Sequence, residues 1–233
     1  MDLAKPCLDV GLFTANKVAM LEFCRDVIGL PYEEMLPVGD GVQQHRHGMN
    51  GSVLKVNAAR DAIDPLAPSG YQRLWIARDG RTDIADVTDP DGNHFRLVPV
   101  GYQDVTGIQI DIAVADLAAH RHFWLECMQA HALDDRRLQL GTTVIALHPG
   151  AAPRPDLGMR GIGFRYLTVQ VFDVSAEHER IIATIGTKGG QVGSREGRAP
   201  VTLGDVAKIS FVRDPDGNWI EISQRRSLTG SLA

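Results

Sequence analysis

Glu221 is the residue of this sequence whose type and setting best suit proton transfer. It follows a DPDGN turn in the segment NWIEISQ, where two isoleucines alternate with Trp219, Glu221 and Ser223. Alternate side chains of a strand point to opposite faces, so Glu221 is predicted to face away from the apolar core. A carboxylate on such a face, beside an aromatic ring, is a candidate general base or acid.

The same alternation predicts further polar side chains on faces opposite apolar ones. In GIQIDIAV, TTVIALH and FRYLTVQVF, the polar face carries Gln109, Asp111, His148, Tyr166, Thr168 and Gln170. Tyr166 and Gln109 are predicted to donate hydrogen bonds to a developing oxyanion, and His148 to be a second proton carrier. The residues predicted to contact a substrate are Trp219, Asp111, Thr168 and Gln170. These residue types favour isomerase, epimerase or lyase chemistry next to a carbonyl group.

The elements that must position these residues recur along the chain. DPDGN occurs at 89–93 and again at 214–218, each time ahead of an alternating segment. Its Asp, Pro and Gly residues make each copy a hairpin turn. The patterns around the two turns predict four modules of β-α-β-β-β order. The second module is shortened, because the chain between Ala77 and Asp89 is too short for a helix.

Three segments with apolar residues at helical spacing predict the module helices, over 18–29, 116–128 and 174–186. Val18 and Val27 are predicted on the apolar face of the first helix. Asp116 is the predicted N-cap of the second, and Ile182 is predicted to face inward on the third. The helical histidines are predicted to face solvent, namely His120, His122 and His178.

This order predicts an α+β fold in which tandem βαβββ modules form two cup-shaped mixed β-sheets with helices on their convex faces. We expect an N-terminal domain over 1–100, a C-terminal domain over 106–226 and a tail over 227–233. The polar set belongs to the C-terminal domain, which is therefore the predicted active cup. The N-terminal cup is predicted to be inactive, with charged residues that form either an internal salt bridge or an anion-binding pocket: Asp9, Lys55 and Arg96.

Composition and charge exclude several classes of partner. The chain has 24 basic and 29 acidic residues, a net charge of −5 and no basic face, so nucleic acid is not expected. No apolar run approaches the roughly 20 residues that cross a bilayer, and the N-terminus lacks a secretory signal. A cytoplasmic protein with a small-molecule ligand is expected, and its cysteines are predicted to be buried thiols. The glycine-rich stretch 186–193 lacks P-loop spacing, so no nucleotide cofactor is predicted.

The layout resembles the vicinal oxygen chelate superfamily, which includes glyoxalase I, extradiol dioxygenases, methylmalonyl-CoA epimerase, fosfomycin resistance enzymes and bleomycin-binding proteins. The resemblance rests on FVRDPDGNWIEISQ (211–224), TDPDGNHFRLV (88–98), FCRDVIGL (23–30) and the module order, and it covers almost the whole chain. It implies a fold rather than one reaction, because the superfamily includes lyases, isomerases, oxygenases and non-enzymes.

The resemblance also implies where a metal would bind, since metal-using members take ligands from the first and last strands of paired modules. In the first half these positions are Asp9, Lys55 and Arg96, whose two cations would repel a divalent ion. In the second half they are Gln109, Ala146 or His148, Tyr166 and Glu221. The two-histidine, one-carboxylate iron site of extradiol dioxygenases is therefore not expected. A divalent metal such as Zn²⁺ or Mn²⁺ on Gln109, His148 and Glu221 stays open.

The bleomycin-binding relatives imply an alternative, a metal-free protein that sequesters a flat or charged compound. Its aromatic contacts would come from Trp75, Tyr166, Phe172 and Trp219, and the two tryptophans alternate onto concave faces. Such relatives commonly dimerise to complete their clefts, so the resemblance implies a homodimer as one arrangement.

Overall fold

The computed structural model describes residues 1–64, 66–150, 158–185 and 200–232 of the 233-residue chain, and the backbone of 191–192. These residues form two mixed β-sheets with few helices, which confirms the predicted α+β class. In spatial order, the nine-stranded sheet contains β13 (Gln191–Val192), β15 (Ala207–Arg213), β16 (Trp219–Arg225), β12 (Gly163–Gln170), β1 (Asp9–Thr14), β4 (Ser52–Ala59), β3 (Val42–Met49) and β2 (Tyr32–Pro37), with β14 (Val201–Leu203) paired to β15. The seven-stranded sheet contains β6 (Ala85–Thr88), β7 (His94–Pro99), β5 (Tyr71–Arg78), β8 (Ile108–Val114), β11 (Thr143–Pro149), β10 (Arg137–Leu140) and β9 (His131–Ala132).

One sheet combines the two modules at the ends of the chain, and the other combines the two middle modules. Strand β1 pairs antiparallel with β12, so residues 9–59 share the nine-stranded sheet with residues 163–225. Strand β5 pairs antiparallel with β8, so residues 71–99 share the seven-stranded sheet with residues 108–149. The first module therefore pairs with the fourth, and the second with the third.

This pairing differs from the expected division into domains 1–100 and 106–226. Each of these halves contributes strands to both sheets, so the link between them does not separate two cups. The physical reason is that four similar modules offer equivalent first strands. Alternation within a strand decides which face is buried, but it does not select the partner strand.

The helices lie close to the predicted positions. They are α1 (Lys17–Glu22), continued by a π-helical turn (Phe23–Val27), α2 (Leu117–His122), continued by a second π-helical turn (Phe123–Cys127), α3 (Val174–Ile185) and α4 (Arg226–Thr229). Asp116 caps α2 as predicted, since its side chain accepts a hydrogen bond from the Ala119 amide at 3.0 Å. Strand β6 follows β5 after a short turn, so the predicted absence of a helix in the second module is confirmed.

The predicted inward faces are wrong at three positions. Val18, Val27 and Ile182 are exposed, with 64%, 52% and 40% of their surface accessible. At Val27 the cause is the π-helical turn, which contains more residues per turn than an α-helix and so rotates the buried face. Phe23 is buried there instead, and Cys24 is buried as predicted.

Two of the histidines predicted to face solvent are buried. His120 is fully buried because α2 packs against the second DPDGN turn, where His120 Nε2 lies 3.2 Å from Asp216 Oδ2 and Nδ1 lies 3.8 Å from Asp214 Oδ2. His178 is buried on α3. Only His122 of the three is exposed.

The two DPDGN turns hold the sheets together reciprocally. Within each turn the first Asp accepts hydrogen bonds from the Asn side chain, at 2.7 Å for Asp89 and 2.8 Å for Asp214. The Asn93 side chain then accepts from the Phe164 amide at 3.3 Å, and the Asn218 side chain accepts from the Gly70 amide at 2.6 Å. Each turn therefore binds the first strand region of the module in the other sheet.

Three further sequence expectations concern composition. No helix among the described residues has the length and apolar character needed to cross a membrane. The cysteines Cys7, Cys24 and Cys127 are buried and unpaired, as predicted, and burial raises the pKa of Cys24 to about 12. The glycine-rich stretch 186–193 lies outside the described residues, apart from the backbone of 191–192.

Candidate functional site

The structure divides the predicted polar set between the two sheets. The concave face of the nine-stranded sheet, here called the first cup, carries Tyr166, Thr168, Gln170, Glu221, Asp9 and Lys55. The seven-stranded sheet, whose concave face is called the second cup, carries Gln109, Asp111 and His148. Gln109 and His148 are therefore not brought together with Glu221, and the four predicted catalytic residues do not form one site.

Lys55 is the centre of the first cup. Its ammonium group donates a hydrogen bond to Thr168 Oγ1 at 2.7 Å and lies 3.3 Å from Glu221 Oε1 and 4.0 Å from Asp9 Oδ2. Register explains this convergence, because Asp9, Thr168 and Glu221 stand opposite one another on three adjacent strands. Burial lowers the pKa of Lys55, and the carboxylates of Glu221 and Asp9 oppose that shift.

The two carboxylates beside Lys55 have different surroundings. Asp9 is fully buried and accepts hydrogen bonds from Lys5 Nζ at 2.5 Å and from the Val53 amide at 2.9 Å. The Glu221 side chain is 15% exposed and lines the cavity of the first cup. Asp9 is thus held by the protein, whereas Glu221 can also reach a ligand.

The Tyr166 hydroxyl is the second polar feature of the first cup. It accepts hydrogen bonds from Asn57 Nδ2 at 3.1 Å and from Gln44 Nε2 at 3.2 Å. Since both partners donate, the hydroxyl proton remains available for another acceptor. Burial, and then the charge of Glu221, raise the pKa of Tyr166, so the hydroxyl stays protonated at neutral pH. Gly11 leaves room for the ring, because a Cβ at position 11 would collide with Tyr166.

The first cup encloses a cavity in two connected parts of about 580 Å³ and 480 Å³. Glu221 and Gln44 line both parts, so the Lys55 and Tyr166 ends of the floor face one space. The opposite wall is apolar and is formed by residues that include Val38, Val42, Leu203, Ile209 and Phe211. A volume of several hundred Å³ with few polar groups is typical of a small-molecule site.

Trp219, a predicted ligand contact, is packed by the protein itself. Only 5% of its surface is accessible. Phe211 meets its ring edge-on at a centroid distance of 5.8 Å, and the Arg213 guanidinium lies 3.8 Å from the ring centroid. Trp219 therefore supports the end of the first cup near Tyr166.

The second cup is filled by its own side chains. Trp75 is 6% exposed, stacks on Tyr102 at 6.1 Å and donates from Nε1 to Asp111 Oδ2 at 2.9 Å. Gln109 donates to Asp111 Oδ1 at 2.8 Å, and Arg96 lies 4.7 Å from the Trp75 ring centroid. What remains open is a rim cavity of about 550 Å³ beside Asp111 and the half-exposed His148.

Comparison with known proteins agrees with this architecture. The model for the glyoxalase/bleomycin resistance protein/dioxygenase superfamily matches residues 108–222. The matched segment runs from the start of β8 into β16 and is just under half of the chain. No curated protein matches the sequence.

Three solved structures share this fold over nearly the whole chain. A glutamate-to-glutamine mutant of glyoxalase I from Zea mays matches with a TM-score of 0.74 and 17% identity, over 100% of this chain and 96% of that one. Glyoxalase I from Zea mays gives 0.70 and 17%, over 94% and 92%. A putative dioxygenase from Bacillus subtilis gives 0.67 and 11%, over 100% and 91%. At these identities the likeness shows the fold alone.

A divalent metal, which the resemblance to the vicinal oxygen chelate superfamily implies, does not fit the first cup. Asp9, Thr168 and Glu221 converge on the ammonium of Lys55, which would repel a second cation there. Within the described part of the chain, no group of three or more His, Cys, Asp or Glu side chains is placed to hold a metal. The set left open by the sequence, Gln109, His148 and Glu221, is divided between two sheets.

Sequence reasoning missed three residues of the first cup. Asn57 and Gln44 bind Tyr166, and Arg225 lines the cavity four positions after Glu221. Asn57 and Arg225 could have been found by extending the alternation, since Asn57 follows Lys55 by two positions and Arg225 continues the face of Glu221. Gln44 stands opposite Asn57 in the β3–β4 hairpin, so finding it requires the register of that hairpin.

Proposed function

We propose that the first cup is the active site of a metal-free enzyme that transfers a proton at a carbon next to a carbonyl group, as an isomerase, epimerase or lyase does. The observation that carries this proposal is the pair of Lys55 and Glu221, 3.3 Å apart at the floor of a cavity. A base and a fixed positive charge side by side are the two groups that enolate formation requires.

Each group has a separate role in the proposed reaction. The Glu221 carboxylate takes the proton from the carbon, and the electron pair of that C–H bond moves onto the carbonyl oxygen. The Lys55 ammonium stabilises the negative charge that develops there, and Thr168 orients the ammonium. Protonated Glu221 then returns the proton to a neighbouring carbon, which completes an isomerisation. If the planar enolate first turns over in the cavity, Glu221 returns the proton to the opposite face of the same carbon, which completes an epimerisation.

Tyr166 supports binding rather than proton abstraction in this scheme. Its hydroxyl proton is free for an acceptor because Asn57 and Gln44 both donate to the oxygen. A raised pKa makes the hydroxyl a poor base and keeps it a donor. It would bind a second oxygen of the substrate, at the end of the cavity away from Lys55.

Sequestration of a compound without reaction is the second candidate function. The apolar wall of the first cup, with Val42, Ile209 and Phe211, favours it. The two functions differ in one measurable respect, since a binding protein would take up a ligand without exchanging any of its protons.

The test is proton exchange in deuterated water, which requires no knowledge of the product. The protein is incubated with a panel of uncharged ketones and aldehydes and of oxo acids. NMR then follows the loss of the signal from the proton next to the carbonyl group. We expect wild-type protein to exchange at least one compound and Glu221→Gln to be slower by about 10²- to 10⁴-fold.

The matched control is Glu22→Gln, an exposed position on α1. It should exchange at the wild-type rate. Full exchange by Glu221→Gln would refute the role of Glu221. Tight binding of a panel compound with no exchange by the wild type would support sequestration instead.

A further inference from the structure

We propose that the ligand of the first cup is a carboxylate and that Arg225 binds its anionic group. This inference rests on the proposed function only for the location of the reacting carbon. Arg225 is the last residue of β16, and alternation places it on the same face as Glu221 and Ser223. It lines the 480 Å³ part of the cavity together with Lys55 and Gln170.

Arg225 differs from the other cations of the first cup in having no counter-ion. Lys5 pairs with Asp9, and Lys55 pairs with Glu221. Arg46 pairs with Glu34 at 3.2 Å. Among the residues that the structure describes, no side chain forms a hydrogen bond or ion pair with the Arg225 guanidinium, and the carboxylates of Glu34, Asp9 and Glu221 act on it only from beyond contact distance. One positive charge of the cup therefore remains for a ligand.

The surroundings of Arg225 strengthen an interaction with an anion. Burial lowers the pKa of Arg225, and the charge of Arg46 adds to that shift, while the carboxylates of Glu34, Asp9 and Glu221 oppose it. A partly desolvated guanidinium attracts a carboxylate more strongly than one in water, because the local dielectric constant is lower. An anionic ligand would serve as the counter-ion and offset the free-energy cost of burying the guanidinium.

A second unsatisfied group lies in the same part of the cavity. Gln170 is 2% exposed, and its Oε1 atom has no hydrogen-bond partner, while its Nε2 atom donates to Asp9 Oδ2 at 3.4 Å. A buried acceptor without a donor is costly. A hydroxyl group on the ligand would satisfy Gln170 Oε1 while the carboxylate binds Arg225.

A carboxylate suits this site better than a phosphate. The guanidinium fork matches the two oxygens of a carboxylate, and a single free cation balances a single negative charge. The neighbouring wall contains Leu203, Val206 and Ile209, which would disfavour a dianion. We therefore assign an organic acid with an apolar body and a carbonyl group several bonds from the carboxylate, since four strand residues span about 13 Å.

The experiment compares acids with their methyl esters, which differ only in the charge. Binding of levulinate, 4-benzoylbutyrate, their methyl esters and inorganic phosphate is measured by calorimetry and thermal shift. The proteins are wild type, Arg225→Gln, Arg225→Lys and the neighbouring control Arg226→Gln, an exposed arginine that pairs with Asp205 at 3.6 Å.

We expect wild type to bind at least one acid about tenfold or more tightly than its ester. Arg225→Gln should lose that preference and leave ester binding unchanged. Arg225→Lys should keep part of it, and Arg226→Gln all of it. Arg225→Gln should unfold at the wild-type temperature or above, because it removes a desolvated charge without a partner.

Three results would overturn the inference: equal binding of acid and ester by wild type, an unchanged preference in Arg225→Gln, or tighter binding of phosphate than of the acids. A loss of thermal stability in Arg225→Gln would also count against it, because Arg225 would then hold the fold. Glu221→Gln separates the two proposals. Glu221→Gln should keep the preference for acids. If Glu221→Gln lost proton exchange while Arg225→Gln did not change binding, the proposed reaction would stand and the proposed carboxylate ligand would be refuted.

Discussion

Lys55 Nζ lies 3.3 Å from Glu221 Oε1, although the two residues are 166 positions apart in the chain. The first module supplies the cation and the fourth supplies the carboxylate, so neither module has the pair by itself. Because the cation is a side chain, it is present in every folded molecule and does not depend on the supply of an ion. The predictions below test what this arrangement implies.

Replacing Lys55 by Met should slow proton exchange by about 10²- to 10³-fold, because the charge that stabilises the enolate is lost. The rate is measured with the compound that wild type exchanges fastest. Lys17→Met, at an exposed position, is the control and should match wild type. Equal rates in Lys55→Met and wild type would remove Lys55 from the reaction.

Exchange should decline on the alkaline side at a pH below 10.5, the ordinary pKa of a lysine, because burial lowers the pKa of Lys55. Below the lowered pKa the ammonium is present, and as the pH rises through it the charge is lost. Lys55→Arg should keep its own rate through this range, since a guanidinium does not titrate there. The measurement is the exchange rate against pH for both proteins, and identical alkaline limbs would contradict the assignment.

Removal of metal should change neither the stability nor the activity of the protein. After dialysis against EDTA, the unfolding temperature and the exchange rate should equal those before dialysis, and added Zn²⁺ or Mn²⁺ should raise neither. Stabilisation that increases with the logarithm of metal concentration would contradict this expectation. If Glu221→Gln then abolished the stabilisation by metal, the metal site would lie in the first cup.

His120→Ala should lower the free energy of unfolding by about 3 kcal/mol. The substitution removes a fully buried ring and leaves Asp214 and Asp216 without the partner that lies against them. His122→Ala, on the same helix but exposed, should change it by less than about 0.5 kcal/mol. Urea unfolding measures both, and equal effects would mean that the histidine–aspartate contact contributes nothing.

Alternation within strands was sufficient to predict the modules and the face of each polar residue. It placed Tyr166, Thr168, Gln170 and Glu221 on one concave face, and the structure has them there. This works because the period of two in a strand is fixed by the backbone and does not depend on the rest of the fold.

Partner choice between modules could not be predicted in the same way. Gln109 and His148 were assigned to the cup of Glu221 because they follow one another in the same half of the chain, yet β8 pairs with β5 and β11. The pairing of β1 with β12 depends on contacts formed only after folding, such as Asn218 with Gly70. The predicted buried face of a helix was wrong where a π-helical turn changed the residue spacing, as at Val27.

Because the first module pairs with the fourth, the two sheets can be completed at different times during synthesis. Residues 71–149 contain the whole seven-stranded sheet in one stretch, whereas β1 must wait for β12 before its open edge is covered. The strands that leave the ribosome first are thus the last to be completed. A product that stopped before β12 would contain the strands of the seven-stranded sheet but would never bring Lys55 to Glu221. With this topology, the first cup is completed only after the fourth module has been translated.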